Sequence, residues 1–187
     1  MHPSPEDSAA DRVAAGVLVA ATCAAELAAM GRAVVVLAAA LAASYAVWAA
    51  RTEWGPPRRM LPAYTAAVLV QCVHLAEEFR TGFHARFPPL LGAQPWPAGR
   101  FLAFNFAWLA VFALAGIGLA RGKRLAYLVA LFLALGGGIG NGLGHLGLAL
   151  RAGGYFPGAY TGALALVAGS MLMYRLMRPT PRAVPAV

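Results

Sequence analysis

The chain has 187 residues, of which 60% are hydrophobic and only 12% charged, and its mean hydropathy is +0.66. Soluble domains carry roughly 25% charged residues, so this composition excludes an ordinary water-soluble globule and points to a membrane protein. The formal net charge of +8 comes from basic residues between apolar runs, which read as topology signals and contacts for anionic headgroups; no nucleic-acid partner is expected.

The length suits one domain, and the Ala, Gly, Pro and Arg bias suits a GC-rich bacterial genome. Residues 1–11 are polar and acidic and lack a basic leader region, so they read as a short disordered tail. A spanning helix needs about 20 mostly apolar residues. The tract from Arg12 to Ala50 is too long for one span, and Gly31-Arg32 splits it at about 13–30 and 33–50. A polar, Pro-rich break follows at 51–59, and Pro62 is expected to open a third span reaching Phe83. Residues 83–99 are too polar and Pro-rich to cross, so they are expected to lie at the interface, with Trp96 as an anchor. Further spans are expected at about 100–120, 125–150 and 159–177, before a Pro-rich tail at 179–187. Cys23 and Cys72 fall in apolar runs and form no disulfide or metal pattern.

The predicted fold is therefore all-α: a polytopic transmembrane helical bundle of about six spans, or five should residues 12–50 cross once. Six spans put both termini on one side. That side holds Arg12, Arg51, Arg58, Arg59, Arg121, Lys123, Arg124, Arg175, Arg178 and Arg182; the other holds Arg32, Arg80, Arg86, Arg100 and Arg151. The excess of Lys and Arg predicts cytoplasmic termini, in the inner membrane of a bacterium.

Charged groups at membrane depth are costly and mark function. Glu26, Glu77 and Glu78 fall inside predicted spans. At about 100° per residue, His74, Glu77 and Glu78 share one helix face, as do Asn141 and His145. At about 1.5 Å per residue, all five, together with Asn105 and Glu26, lie roughly 8–15 Å from the same end of their spans. Gly136, Gly140 and Gly144, at spacing four, are expected to dock the fifth span closely, carrying Asn141 and His145 against the glutamate helix. Glu26 is expected to pair with Arg32, and His84 to be solvated near the interface. Phe104 and Trp108 are candidates to line an apolar pocket.

His74-Leu-Ala-Glu77-Glu78 resembles the signature of the HXXEE-domain family of bacterial membrane proteins. Asn141-Gly-Leu-Gly-His145 and Tyr155-Phe-Pro157-Gly158 resemble two later motifs of that family, in the same order. The resemblance covers about 62–177 and implies a four-helix membrane domain at 61–178, preceded at 12–60 by two transmembrane helices and a basic loop. It marks a site without naming a reaction. A looser likeness, to sterol isomerases of the emopamil-binding type, is an analogy only.

The expected site comprises His74, Glu77, Glu78, Asn141, His145, Asn105 and Tyr155. Carboxyls and imidazoles in a dry site suit acid–base isomerisation, cyclisation or hydration of an isoprenoid or lipid. His74, Glu77, Glu78 and His145 also offer mixed ligands for a divalent metal, zinc or iron. The expected function is a membrane enzyme acting on a hydrophobic substrate, with proton-coupled or metal transport through the same cluster as the alternative.

Overall fold

A computed structural model describes residues 9–179, and among these every regular element is helical. The chain forms α1 (Ala9–Met30), α2 (Val35–Ala50), α3 (Pro57–Thr81), α4 (Phe83–Leu90), α5 (Ala98–Ala120), α6 (Arg124–Phe132), α7 (Asn141–Arg151) and α8 (Ala159–Met177). Apolar stretches of this length satisfy their backbone groups internally, which is what a lipid environment demands. Four stretches are long and apolar enough to cross a membrane: Ala9–Ala50, Pro57–Thr81, Ala98–Ala120 and Arg124–Arg151. The protein is thus a helical membrane protein. α8 falls outside that set.

The first tract folds back on itself. Gly31 takes a left-handed φ of 72° at the head of a short 3-10 turn, Gly31–Val34, and α2 returns along α1. Tyr45 Oη donates to Arg12 O at 3.0 Å and Cys23 Sγ lies 3.5 Å from Ala38 O, which fixes an antiparallel hairpin. Three boundaries differ from expectation. α1 already includes Ala9, Ala10 and Asp11, whereas the rest of the expected N-terminal tail and residues 180–187 lie outside the described residues. α3 begins at Pro57, where a missing N–H costs nothing, and Pro62 sits inside it, within the first turns. Residues 83–90 form a helix, and Trp96 is no headgroup anchor. It is buried, and its indole donates to Met30 O at 2.7 Å.

Between α6 and α7 the chain runs as a π-helix, Leu133–Gly140, rich in glycine. Each π turn takes in more residues than an α turn, so α7 is rotated relative to α6. The close docking of this segment is onto α8, not onto α3. A Cβ at Gly138 would sit 2.5 Å from Gly169 Cα, and one at Gly142 would sit 2.5 Å from Gly162 O. The expected row Gly136, Gly140, Gly144 does not make that seam: Gly136 faces Phe132 and Ala40, Gly140 faces Leu135 of its own helix, and Gly144 meets open space. α8 packs along both α3 and the α6–α7 rod, and so holds the two site-bearing helices together.

Contacts sort the chain into two ends. At one, Arg51 donates to Met177 O (2.8 Å), Gly55 N to Leu176 O (3.0 Å), and the Trp48 indole to Arg124 O (3.0 Å). At the other, Arg32 donates to Gly92 O and α3 meets the start of α8. Between them lies an apolar core that includes Ala67, Phe112, Leu131 and Ala134.

Candidate functional site

Near the second end, three side chains converge in a dry place. His74 on α3 is 1% exposed, Glu78 one turn later 6%, and His145 on α7 2%. His74 Nε2 lies 3.6 Å and His145 Nε2 3.1 Å from the same oxygen, Glu78 Oε1. The three ligand atoms fall within 4.8 Å of one another. Spacing i, i+4 on one helix delivers His74 and Glu78 together, and the α8 seam brings His145 across to them.

The outer faces of both rings are fixed. His145 Nδ1 is 2.7 Å from Pro157 O, an atom that only accepts, so Nδ1 carries the proton. His74 Nδ1 is 2.8 Å from Thr161 Oγ1, whose own hydrogen is donated to Glu77 Oε2, so His74 Nδ1 also donates. In the neutral rings both Nε2 atoms therefore turn lone pairs toward Glu78. His74 Nε2 has no hydrogen-bond partner among the described residues.

The loop before α8 is shaped around this arrangement. Gly158 takes φ 86°, and any Cβ there would run into the His145 ring; one at Gly162 would sit 3.0 Å from His145 Cβ. Tyr155-Phe-Pro157-Gly158 is thus more than a turn, because Pro157 supplies the carbonyl and Gly158 the space that seat His145. Phe83 covers the ring from the other side, with centroids 4.9 Å apart.

The two adjacent glutamates have different partners. Glu77 is half-buried and turns away from the histidines to the start of α8. It accepts from Thr161 N (2.7 Å), Tyr160 N (3.3 Å), Thr161 Oγ1 and Tyr155 Oη (2.8 Å). An anionic carboxylate there satisfies first-turn amides and complements the helix dipole. Tyr155 joins Glu77 rather than the imidazoles. Its phenol is pushed above the ordinary tyrosine value, first by partial burial and then by donating to Glu77. Thr161, which links Glu77 to His74, joins the cluster unannounced by the sequence; its only signal is a hydroxyl residue in the first turn of a helix.

The other expected members stand apart. Asn105 Nδ2 donates to Phe101 O in its own helix, 2.9 Å away. Asn141, one turn before His145, is half-buried and joins none of the cluster's hydrogen bonds. Neither glutamate pairs with Arg80 or Arg86. The Arg86 guanidinium lies over the Phe156 ring at 5.1 Å. His84 is half-buried between Phe79 and Phe101, not freely solvated. Glu26 does not pair with Arg32; its Oε1 accepts from the Trp108 indole at 3.0 Å.

Two hollows open elsewhere. One, of about 400 Å³, is lined by Arg86, Leu148, Arg151 and Phe156 at the cluster's end of the bundle. The other, of about 440 Å³, is lined by residues of α1, α2, α5 and α6, with Phe104 and Trp108 among them.

Fold and site together define a helical membrane protein built around a buried pair of histidines and one carboxylate. Residues 64–173 match the family described as a protein of unknown function with an HXXEE motif, and the chain belongs to that family. No curated protein and no solved structure matches the chain.

Proposed function

We propose that the protein is an enzyme of the bacterial inner membrane that acts on an isoprenoid or lipid-like substrate through a divalent cation held by His74, Glu78 and His145. One observation carries this reading. His74 Nε2, buried without a hydrogen-bond partner among the described residues, and the buried His145 Nε2 both aim lone pairs at one oxygen of Glu78, while hydrogen bonds on the far sides of the rings keep both protons on Nδ1. Three electron pairs facing one another in a low-dielectric place repel unless a cation lies among them.

Two of the three ligand spacings lie near those that a metal requires. With bonds of about 2.0–2.1 Å, neighbouring ligand atoms stand roughly 3.0–3.5 Å apart, against the 3.1 and 3.6 Å here. Two imidazoles and one carboxylate form a ligand set common to catalytic zinc and to non-haem iron, and it leaves coordination positions for substrate. Thr161 and Pro157 O act as the outer shell that fixes each ring. His74 Nδ1, Thr161 Oγ1, Glu77 and the partly exposed Tyr155 form an unbroken hydrogen-bonded file, a route for a proton between the buried centre and the loop end. The metal would polarise a substrate oxygen as a Lewis acid.

A closed catalytic centre fits better than a transport path, because the interior on the far side of the cluster is apolar: Met60, Ala67, Leu131, Leu172 and Leu176 fill it. In this reading α1, α2, α3, α5, the α6–α7 rod and α8 each cross once, six passes in all. The end carrying Arg51, Arg58, Arg59, Arg121, Lys123 and Arg124 faces the cytoplasm.

The test is the metal content of protein purified in detergent. About one equivalent of zinc or iron is expected, lost in both His74→Ala and His145→Ala. Metal-free wild type with a protonated Glu78 carboxyl, read by infrared difference against Glu78→Gln, would replace the cation with a proton and leave acid–base catalysis. Proton counter-transport in liposomes, abolished by Glu78→Gln, would favour the transporter instead.

A further inference from the structure

Glu26 is a second buried acid that the histidine cluster does not use. It is only 4% exposed, on a helix outside the residues matched to the family. Trp108 satisfies one carboxylate oxygen; the other, Oε2, is buried without a partner among the described residues. A buried carboxylate oxygen lacking a donor carries a penalty that native structures rarely leave uncompensated.

The unpartnered group sits in the wall of the 440 Å³ hollow. This is a groove between α1 and α5, floored by α2 and α6, and it includes Leu18, Thr22, Ala107, Val111, Val129 and Phe132. Its volume lies in the roughly 300–1,000 Å³ range of small-molecule sites, and such sites pair an apolar lining with a few polar groups that orient the ligand. Apart from Glu26 and the Trp108 N–H, the polar side chain at the groove is Thr22, whose hydroxyl donates to Leu18 O of its own helix at 2.8 Å.

We propose that this groove binds a single-chain hydrophobic alcohol, with its hydroxyl donating to Glu26 Oε2 and its apolar body lying between α1 and α5. Desolvation selects the head group. A hydroxyl brings one hydrogen, and no charge, to the one unpartnered oxygen. A primary ammonium brings a charge and three hydrogens, and beyond Glu26 the apolar lining offers only the Thr22 hydroxyl oxygen, so drying the ammonium costs more than drying a hydroxyl. A plain acyl chain fills the groove but leaves Oε2 unpaired. The site stands on residues separate from His74, Glu78 and His145, so its success or failure is independent of the metal reading.

The experiment uses full-length protein in phosphatidylcholine nanodiscs. A long-chain primary alcohol carrying a diazirine in its chain is photolysed, and the cross-linked residues are mapped by mass spectrometry. The same chain as its methyl ether serves as the control without a donor. Saturable labelling at Thr22, Ala107 or Val111 is expected, with the ether about tenfold weaker or worse. Glu26→Leu should erase that preference for the alcohol. Ala107→Trp, which keeps Glu26 but fills the groove, should abolish labelling by both probes. Metal content, measured on each variant, reports an intact bundle where Glu26→Leu disturbs folding; where no metal binds wild type, a cooperative thermal transition serves. Equal labelling by alcohol and ether, labelling spread evenly over the lipid-facing helices, or labelling that survives Ala107→Trp would overturn the proposal.

Discussion

The imidazoles of His74 and His145 meet edge to face, with ring centroids 4.7 Å apart and planes at 85°. They come from helices joined mainly through a third, α8, so their meeting depends on the glycine seam and on the turn that precedes α8. With both Nδ1 atoms occupied, the pair presents its Nε2 atoms to Glu78 as a prearranged unit.

Glu77 and Glu78 should separate cleanly under mutation although they are neighbours. Glu78→Gln removes a direct ligand and should abolish stoichiometric metal binding. Glu77→Ala removes the carboxylate that covers the first turn of α8, and should cost about 1–2 kcal/mol of stability. It should keep the metal, with affinity reduced about 10- to 100-fold through the loosened Thr161–His74 contact. Metal titration and thermal unfolding in the same detergent give the two readouts. Equal loss of metal in both variants would mean that the two carboxylates act as one.

Gly158→Ala should be among the most damaging single-methyl changes in the chain. The residue takes φ 86°, where an L side chain is strained, and the new methyl would overlap the His145 ring. Strain alone is worth about 1–3 kcal/mol, and displacement of the ring should take metal binding with it. Gly144→Ala, on the same rod but facing open space, is the control and should leave both metal content and melting temperature close to wild type.

Several of these relationships were legible in the sequence and others were not, for physical reasons. Spacing alone placed His74 with Glu78, and residue counting put His145 at their depth, because helical periodicity and rise are fixed. It could not separate Glu77 from Glu78: a helical wheel gives the direction of a side chain but not its neighbour, and the neighbour of Glu77 is the start of α8. The rotation that the π segment gives α7 has no sequence periodicity to announce it, so spacing in the sequence points to Gly136 and Gly140, two residues short of the Gly138 and Gly142 that make the seam. Trp96 looked like an interfacial anchor because a Pro-rich loop beside a span normally lies at the headgroups. Here the loop folds inward, and the indole covers the end of α1.

Trp96→Phe should therefore destabilise the protein where an interfacial anchor would not. Phe keeps an aromatic ring near Phe101 and Phe87 but leaves the Met30 carbonyl without its donor, a loss of about 1–3 kcal/mol. Chemical unfolding in mixed micelles measures it. A change below about 0.5 kcal/mol, usual for surface positions, would return Trp96 to the interface.

Tyr155 provides the pH readout, since it lies in the loop beyond the end of α7 and its phenol is held above the ordinary tyrosine value. An acid whose folded value is raised favours the fold most below the unfolded value of about 10; that contribution is lost as pH climbs from there through the folded value. The Tyr155–Glu77 hydrogen bond should consequently survive into mildly alkaline solution. The phenolate band, isolated as wild type minus Tyr155→Phe, should rise later than that of free tyrosine. Glu77→Gln should move it only part of the way back, because burial is the larger cause and Glu77 the smaller. A full return to the free value in Glu77→Gln would make the carboxylate the sole cause, and no movement at all would break the file from Tyr155 to His74 at its first link.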